Sequence, residues 1–241
     1  MRRTAGGRWQ DGVVLDAVAD WDWWQVLAVS VVLNAATLAT SVVLWHGLVR
    51  RWDLTDQTRV PERSEVLLTA STVAINALAL LPGWWLWREG WIELAPSSLG
   101  RTAIDLVYLI VGVDAVMYGV HRVFHWGLLY RWFHRIHHVP DRRMTPVSLF
   151  VMHPLEAAGF SVVLLGLMAL VDVTLASVVV FFGLNLTVGT LAHLPRRPGA
   201  AERWWDRWLG GTVPHQGHHA DEAADFGFYT QVIDRVLGTS S

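Results

Sequence analysis

The chain contains no cysteine and no lysine, and only 17% of its 241 residues are charged. Without cysteine it can form no disulfide, no thiolate-held iron–sulfur cluster, no Cys-ligated haem and no zinc ribbon. Any metal must therefore be held by His, Asp or Glu. The formal net charge is -2 with both signs dispersed, which gives no indication of a nucleic-acid partner.

Apolar residues make up 53% of the chain, and the mean hydropathy is +0.33. This composition is too apolar for an ordinary soluble domain. Apolar runs at 26–49, 66–87 and 102–120 can each cross a hydrocarbon core of about 30 Å. A fourth run, 157–194, is too long for one span and is expected to form a helical hairpin that turns around 171–174. The sequence thus predicts an all-α, polytopic membrane helical bundle of about four to five spanning or hairpin helices.

Three regions follow from these runs. We expect an N-terminal interfacial segment at 1–25, a transmembrane hairpin at 26–100 and a catalytic domain at 101–241. The first region has no apolar core typical of a cleavable signal peptide. No Pro/Gly-rich linker divides the chain into independent domains.

Arginine placement predicts the topology. Segment 50–63 carries four arginines and 121–143 carries five, whereas 88–101 carries two, so the first two segments are expected in the cytoplasm. Three arginines near the N-terminus argue the other way and are given less weight; they are Arg2, Arg3 and Arg8. The absence of lysine beside abundant Arg, Ala and Trp is typical of a GC-rich bacterial genome. We therefore expect a bacterial inner-membrane protein.

Histidine is concentrated in the second half of the chain, where ten of the eleven lie between His121 and His219. His121 and His125 end the third run one helical turn apart and can share a metal, although a plain interfacial pair fits the spacing as well. No Glu follows His121, which excludes an HExxH metalloprotease.

Two further clusters have the pattern HxxHH. In each, the first and fourth residues are expected to face together while the fifth points in a neighbouring direction, so one short helix can offer ligands to two metals. The clusters contain His134, His137 and His138, and His215, His218 and His219. With the other candidates, they form a histidine-rich helical cap that we expect to hold a dimetal site on the cytoplasmic face.

Isolated polar residues are assigned separately. His193 follows the last apolar run and is expected to be a ninth ligand, with a capping role as the alternative. His153 is interpreted as a hydrogen-bonding residue that fixes the hairpin entrance rather than as a ligand. His46 lies in the first run, away from the clusters, and is interpreted as structural.

A carboxylate inside a span is costly and usually functional. Asp114 and Tyr118 share the helical stripe of His121 and are candidate catalytic residues that act behind the metal ligands. Asp114 is placed to accept an N–H from a metal-bound imidazole. A purely structural polar contact is its alternative.

In order and spacing, the histidine motifs resemble those of the fatty acid hydroxylase / sterol desaturase superfamily over roughly residues 101–241. The motifs that carry the resemblance are Asp114-xxx-Tyr118-xx-His121-Arg122-xx-His125, Leu129-Tyr130-Arg131-x-Phe133-His134, His153-Pro154-x-Glu156, Pro214-His215-xx-His218-His219, Phe226-Gly227-x-Tyr229 and Asp234-Arg235 with Gly238-Thr239. Asp225-Phe226 stands in place of the usual Asn-Tyr, and Ile233 in place of Trp. Neither departure touches an expected ligand.

The resemblance implies an integral membrane, non-haem di-iron oxygenase. Such an enzyme uses O2 and two electrons to hydroxylate or desaturate an unactivated C–H bond of a lipid, which here means a fatty acyl chain, a sterol or an isoprenoid such as a carotenoid. It would bind two Fe ions, with Zn possible on purification. The implied ligands are His121, His125, His134, His137, His138, His215, His218 and His219, with His193 as the addition.

The electrons are expected to come from another protein, because the chain has neither Cys nor a GxGxxG dinucleotide motif. A ferredoxin, a cytochrome or a reductase fits this role. Five arginines near the ligands either attract an acidic donor or anionic headgroups or serve as positive-inside anchors; they are Arg122, Arg131, Arg135, Arg142 and Arg143.

Two functions of other classes remain as alternatives. Two zinc ions in all-His sites can activate water, so a zinc-dependent membrane hydrolase is possible. Another metal-binding membrane protein is the second alternative. A metal transporter is disfavoured, because its ligands should lie near the middle of spans rather than after their ends.

Overall fold

The computed structural model of the protein describes residues 12–138, 143–197 and 204–241. The expectations that concern Arg2, Arg3, Arg8 and Arg142 lie outside the described residues. The described part of the chain is almost entirely helical, which confirms the predicted all-α class.

Four long helices and a short N-terminal helix make up the first half of the chain and the return span. They are α1 (Gly12–Ala19), α2 (Trp23–Arg51), α3 (Arg63–Arg88) and α4 (Leu99–Phe124), with α8 (Leu175–Ala192) following later. Helices α2, α3, α4 and α8 are long and apolar enough to cross a membrane. Their outer faces expose valines that lipid would cover, such as Val43 at 72% and Val179 at 63% exposure.

The remaining helices are shorter. They are α5 (Gly127–Leu129), a π-helical turn at Tyr130–His134, α6 (Arg135–His138), α7 (Pro154–Leu170), α9 (Thr212–Ala220) and α10 (Val232–Leu237), with 3-10 turns at Thr55–Gln57, Ser148–Phe150 and Trp204–Arg207. We call α5, the π-helical turn, α6 and α9 the cap. Helix α7 is apolar but has only 17 residues, and it forms the first arm of the predicted hairpin.

The hairpin turns where the hydropathy pattern predicts. Helix α7 ends at Leu170, and α8 begins at Leu175 after a two-residue strand, β2 (Val173–Thr174). This strand pairs in parallel with β1 (Leu94–Ala95), in the register Leu94↔Val173 and Ala95↔Thr174. These two short strands join the turn to the segment that precedes α4.

Local capping explains where the helices begin. The hydroxyl of Ser98 accepts the N–H of Arg101 at the start of α4, and the hydroxyl of Thr174 accepts the N–H of Ser177 at the start of α8. At α7, His153 Nδ1 accepts the N–H of Leu155, and Pro154 occupies the first turn. His153 therefore does fix the hairpin entrance.

The core lies between α4, α7 and α8. Its fully buried members are Leu109, Val113, Met117, Leu167, Val173, Val178 and Phe181. Because the long helices alternate in direction, the ends of α2, α4 and α8 lie together, and all of the histidine clusters follow these ends. Contacts confirm the arrangement: the Ser41 and Thr190 hydroxyls lie 2.9 Å apart, and Arg197 Nη2 is 2.9 Å from Asp53 Oδ2.

At the opposite end, one buried carboxylate closes the bundle. Asp105 is 2% exposed; its Oδ1 accepts Arg101 Nε at 2.7 Å, and its Oδ2 accepts the N–H of Thr174 at 2.8 Å. Arg101 also donates to the carbonyl of Asp172. The carboxylate therefore ties the start of α4 to the turn of the hairpin.

We expect Asp105→Ala to lower the free energy of unfolding by about 2 kcal/mol, because it leaves the buried N–H of Thr174 unpaired. Thermal unfolding in detergent measures the effect, and Asp172→Ala, exposed in the same turn, serves as the matched control. Equal melting temperatures for the two variants would show that Asp105 does not join these elements.

Candidate metal centre

One group of five imidazoles lies where the end of α4 meets the cap, and both contribute members. Its side-chain nitrogens all lie within 4.8 Å of one another. The members come from three separate parts of the chain and are His121, His125, His134, His138 and His218. This grouping brings together residues that are up to 97 positions apart in sequence.

A second group lies beside the first. His137, His215 and His219 have ligand nitrogens within 4.8 Å of one another. His193 adjoins them, because its Nε2 is 3.1 Å from His215 Nε2 and its ring centroid is 5.5 Å from that of His137. The nine candidate ligands therefore divide into five and four.

The division of each HxxHH motif differs from the sequence expectation. The first and fifth residues share a group, as His134 and His138 do, and the fourth residue, His137, belongs to the other group. In the second motif, His215 and His219 are paired and His218 is separate. Four residues advance a helix about 40° past a full turn, whereas three leave it about 60° short, so i and i+4 face more nearly together. Each short helix still offers nitrogens to both groups.

Hydrogen bonds from Nδ1 orient five of these rings. Four donate to backbone carbonyls: His121 to Phe226 at 3.0 Å, His137 to Val151 at 3.2 Å, His193 to Gly189 at 2.8 Å and His218 to Ala224 at 2.6 Å. His134 Nδ1 lies 2.9 Å from Oε1 of Glu156. Because a carbonyl oxygen only accepts, the four rings bonded to the backbone carry their proton on Nδ1 and present a bare Nε2 to their group. Glu156 in its ionised form imposes the same tautomer on His134.

The presented nitrogens are short of partners. His121 Nε2 and His134 Nε2 lie 3.0 Å apart, and since both rings are protonated on Nδ1, neither can donate to the other. Other buried nitrogens have no hydrogen-bond partner among the described residues; they are His125 Nε2, His138 Nδ1 and Nε2, His218 Nε2, and His219 Nδ1 and Nε2. Buried polar atoms without a partner are costly, and a bound cation would satisfy these lone pairs. The residues therefore fit metal ions, and an all-imidazole donor set suits Fe and Zn alike.

Burial keeps these rings neutral. It lowers the pKa of His125 and of His134 to about 4, and the pKa of His193 and of His218 to about 3. Neighbouring imidazoles lower the pKa values of His138 and His219 further. Neutral imidazole is the form that binds a metal, so the cap holds its ligands ready at neutral pH.

Asp114 does not have the role expected of it. Its carboxylate accepts the N–H groups of Phe228, Tyr229 and Thr230 at 2.6–3.3 Å and the Thr230 hydroxyl at 2.6 Å. It thus holds a backbone loop instead of an imidazole, which is the structural alternative. The sequence could not show this because the partners lie 114–116 positions away.

Tyr118 contacts the same C-terminal region. Its hydroxyl is 2.9 Å from Thr239 Oγ1 and accepts a bond from Arg122 at 3.5 Å, and its ring meets Phe226 edge to face. Tyr118 therefore contacts Phe226, whose carbonyl accepts from His121.

The other assigned residues lie around the groups. His46 is exposed on α2 and packs edge-on against Trp45, outside both groups. Four arginines are exposed on and beside the cap, namely Arg122, Arg131, Arg135 and Arg143.

Three residues of the site were not found by sequence reasoning. Glu156 was noted only as part of a motif, although a lone carboxylate beside an apolar run was a usable signal. Tyr130 stacks on His125 with ring centroids 5.2 Å apart and donates to Glu222, and burial and that bond raise the pKa of its phenol. Trp45 donates to the carbonyl of His193 at 3.1 Å across 148 positions, which no local pattern reveals.

The described chain has four membrane-length helices, and nine imidazoles cluster at one end of them. These features are those of a histidine-rich integral membrane protein. A family model described as fatty acid hydroxylase matches residues 106–239, more than half of the chain. The chain belongs to the fatty acid hydroxylase family, and it is an integral membrane protein of an oxidoreductase family. The matched range contains all nine candidate ligands. No curated protein and no solved structure matches the chain.

We expect Glu156→Ala to weaken metal retention by about 10–100-fold, because His134 loses the carboxylate that fixes its proton and its orientation. Glu156→Gln keeps an accepting oxygen and should lose less. Metal content after dialysis against a chelator measures the effect, with Glu93→Gln, an exposed glutamate, as the control. If Glu156→Ala retains metal as the wild type does, the carboxylate does not support the site.

Proposed function

We propose that the protein is a membrane-bound non-haem di-iron oxygenase that hydroxylates or desaturates an unactivated C–H bond of a lipid. The observation that carries the proposal is the division of nine buried or half-buried imidazoles into two adjacent groups. Nine such ligands exceed what one ion can bind, and family membership supports hydroxylase chemistry.

The two groups lie side by side, and rings of one contact rings of the other. The rings of His138 and His219 belong to different groups, and their centroids lie 4.5 Å apart. His137 and His138 are adjacent in α6 and point into different groups at a centroid distance of 5.9 Å. Two ions held in this way would be close neighbours, which suits the joint binding and reduction of O2.

Iron, when bound, would supply the O2 chemistry, and the chain's own residues prepare the site for it. Hydrogen bonds from Nδ1 orient five of the nine rings before a metal binds, so these rings need little reorganisation. The Phe226 ring packs against His125 and His218 at centroid distances of 5.3 and 5.4 Å and helps to keep water from the five-residue group. Next to it, Phe228 packs on the core between α4, α7 and α8. We propose that an alkyl chain approaches the site from this apolar side.

The electron donor is proposed to be a separate protein, since the chain has no cysteine for an iron–sulfur cluster. The exposed arginines of the cap favour an acidic docking surface on that donor. The 52–62 loop and the cap lie at the same end of the bundle, and both are flanked by arginines. This supports a cytoplasmic site by the positive-inside rule. The absence of lysine beside abundant arginine supports a bacterial inner membrane.

Lipid profiling of membranes from cells with and without the active chain tests this function. We expect an O2-dependent product that has gained one oxygen, for hydroxylation, or lost two hydrogens, for desaturation. His137→Ala should abolish the product because it removes a ligand of the four-residue group, and His46→Ala, outside both groups, should retain it.

A zinc-loaded, colourless protein that is active without O2 would contradict the proposal and favour a zinc-dependent hydrolase. An unchanged lipid profile with the wild-type chain, supplied with a competent reductase, would also count against it.

A further inference from the structure

The loop 228–230 lies deep within the bundle. Tyr229 donates to Asn185 of α8 at 2.7 Å, and Asp114 of α4 accepts the N–H groups of all three loop residues. Along α4, Asp114 lies eight residues, or about 12 Å, before Arg122 near the end of the helix. Along α8, Asn185 lies seven residues, or about 10 Å, before Ala192, where the helix ends. The loop is therefore held at the level of the apolar spans and not above them.

An apolar surface is attached directly to this loop. Gly210 donates its N–H to the carbonyl of Tyr229 at 2.8 Å, and Leu209 forms an antiparallel bridge with Thr230. The N–H of Gln231 donates to the carbonyl of Trp208 at 3.0 Å. The chain around Trp208 and the start of α10 are thus one or two residues from groups that are anchored at membrane depth.

The side chains on this surface are large, apolar and exposed. They are Trp204, Trp208, Leu209, Val232, Val236 and Leu237. Val236 is 77% exposed and shares a face of α10 with Val232 one turn earlier. Arg235 lies over the Trp208 ring at 4.8 Å and donates to the carbonyl of Arg207. Exposing so many large apolar groups to water would be unfavourable, because apolar surface is more stable outside water.

We propose that this surface, formed by the 204–209 segment and α10, contacts the interfacial layer of the lipid bilayer. Its depth and its continuity with the spans favour lipid over a protein partner. Tryptophan and arginine beside aliphatic side chains are the residues expected where hydrocarbon meets headgroups. The 204–209 segment and α10 then lie against the bilayer surface, and they are distinct from the cap.

This membrane contact requires neither the metal nor the reaction. The surface is nonetheless linked to the candidate metal centre, because the segment just before the anchored loop supplies two carbonyls to its histidines. Ala224 accepts from His218, and Phe226 accepts from His121.

The absence of native cysteine allows a direct test with single spin labels on the full chain in lipid nanodiscs. Val236→Cys reports on the proposed surface, Val179→Cys on the lipid-facing side of α8, and Ala223→Cys on an exposed loop. The label at Val236 should collide readily with O2. Its collisions with a polar nickel complex should be severalfold fewer than those of the label at Ala223. The label at Val179 should give the same pattern as the label at Val236.

Other outcomes would overturn the proposal. Nickel accessibility at Val236 equal to that at Ala223 would place the surface in water. Low accessibility to both reagents would show that protein covers the surface. In the purified sample, that protein would be a second copy of the chain. Val232→Cys, on the same face, provides an independent reading if the Val236 variant does not fold.

Discussion

The structure depends on keeping nine buried or half-buried imidazoles neutral and correctly oriented. Burial makes protonation costly, so the rings stay in the form that binds metal. Neutral rings can still adopt either tautomer, and Nδ1 bonds to four carbonyls and to Glu156 select one of them in five rings. These acceptors lie in three parts of the fold, namely 151–156, α8 and 224–226, so the packing of spans and loops also orients the ligands.

Features with a local physical cause could be predicted from the sequence. The spans follow from apolar runs that match the bilayer thickness, and the hairpin from a run too long for one span. The HxxHH spacing predicted that one helix serves two groups. The expected pairing of the first and fourth residues was wrong, and the first and fifth residues share a group. On a helix, i and i+4 face more nearly together than i and i+3.

The remaining features depend on contacts between distant residues. Backbone carbonyls, such as those of Ala224 and Phe226, have no side-chain signature, so the acceptors for His218 and His121 could not be read from sequence. Asp114 stood out as a buried carboxylate, but its partners lie more than 100 positions away, and proximity to His121 in sequence suggested the wrong one. Long-range packing therefore decides which polar residue supports the ligands.

X-ray absorption at the iron edge of the purified, iron-loaded protein tests the central claim most directly. The account predicts two iron ions per chain, an inner shell of nitrogen with the multiple-scattering pattern of imidazole, and an iron neighbour as an outer scatterer. A single ion per chain, or an inner shell dominated by carboxylate oxygen, would contradict the assignment of nine histidines to two adjacent metal sites.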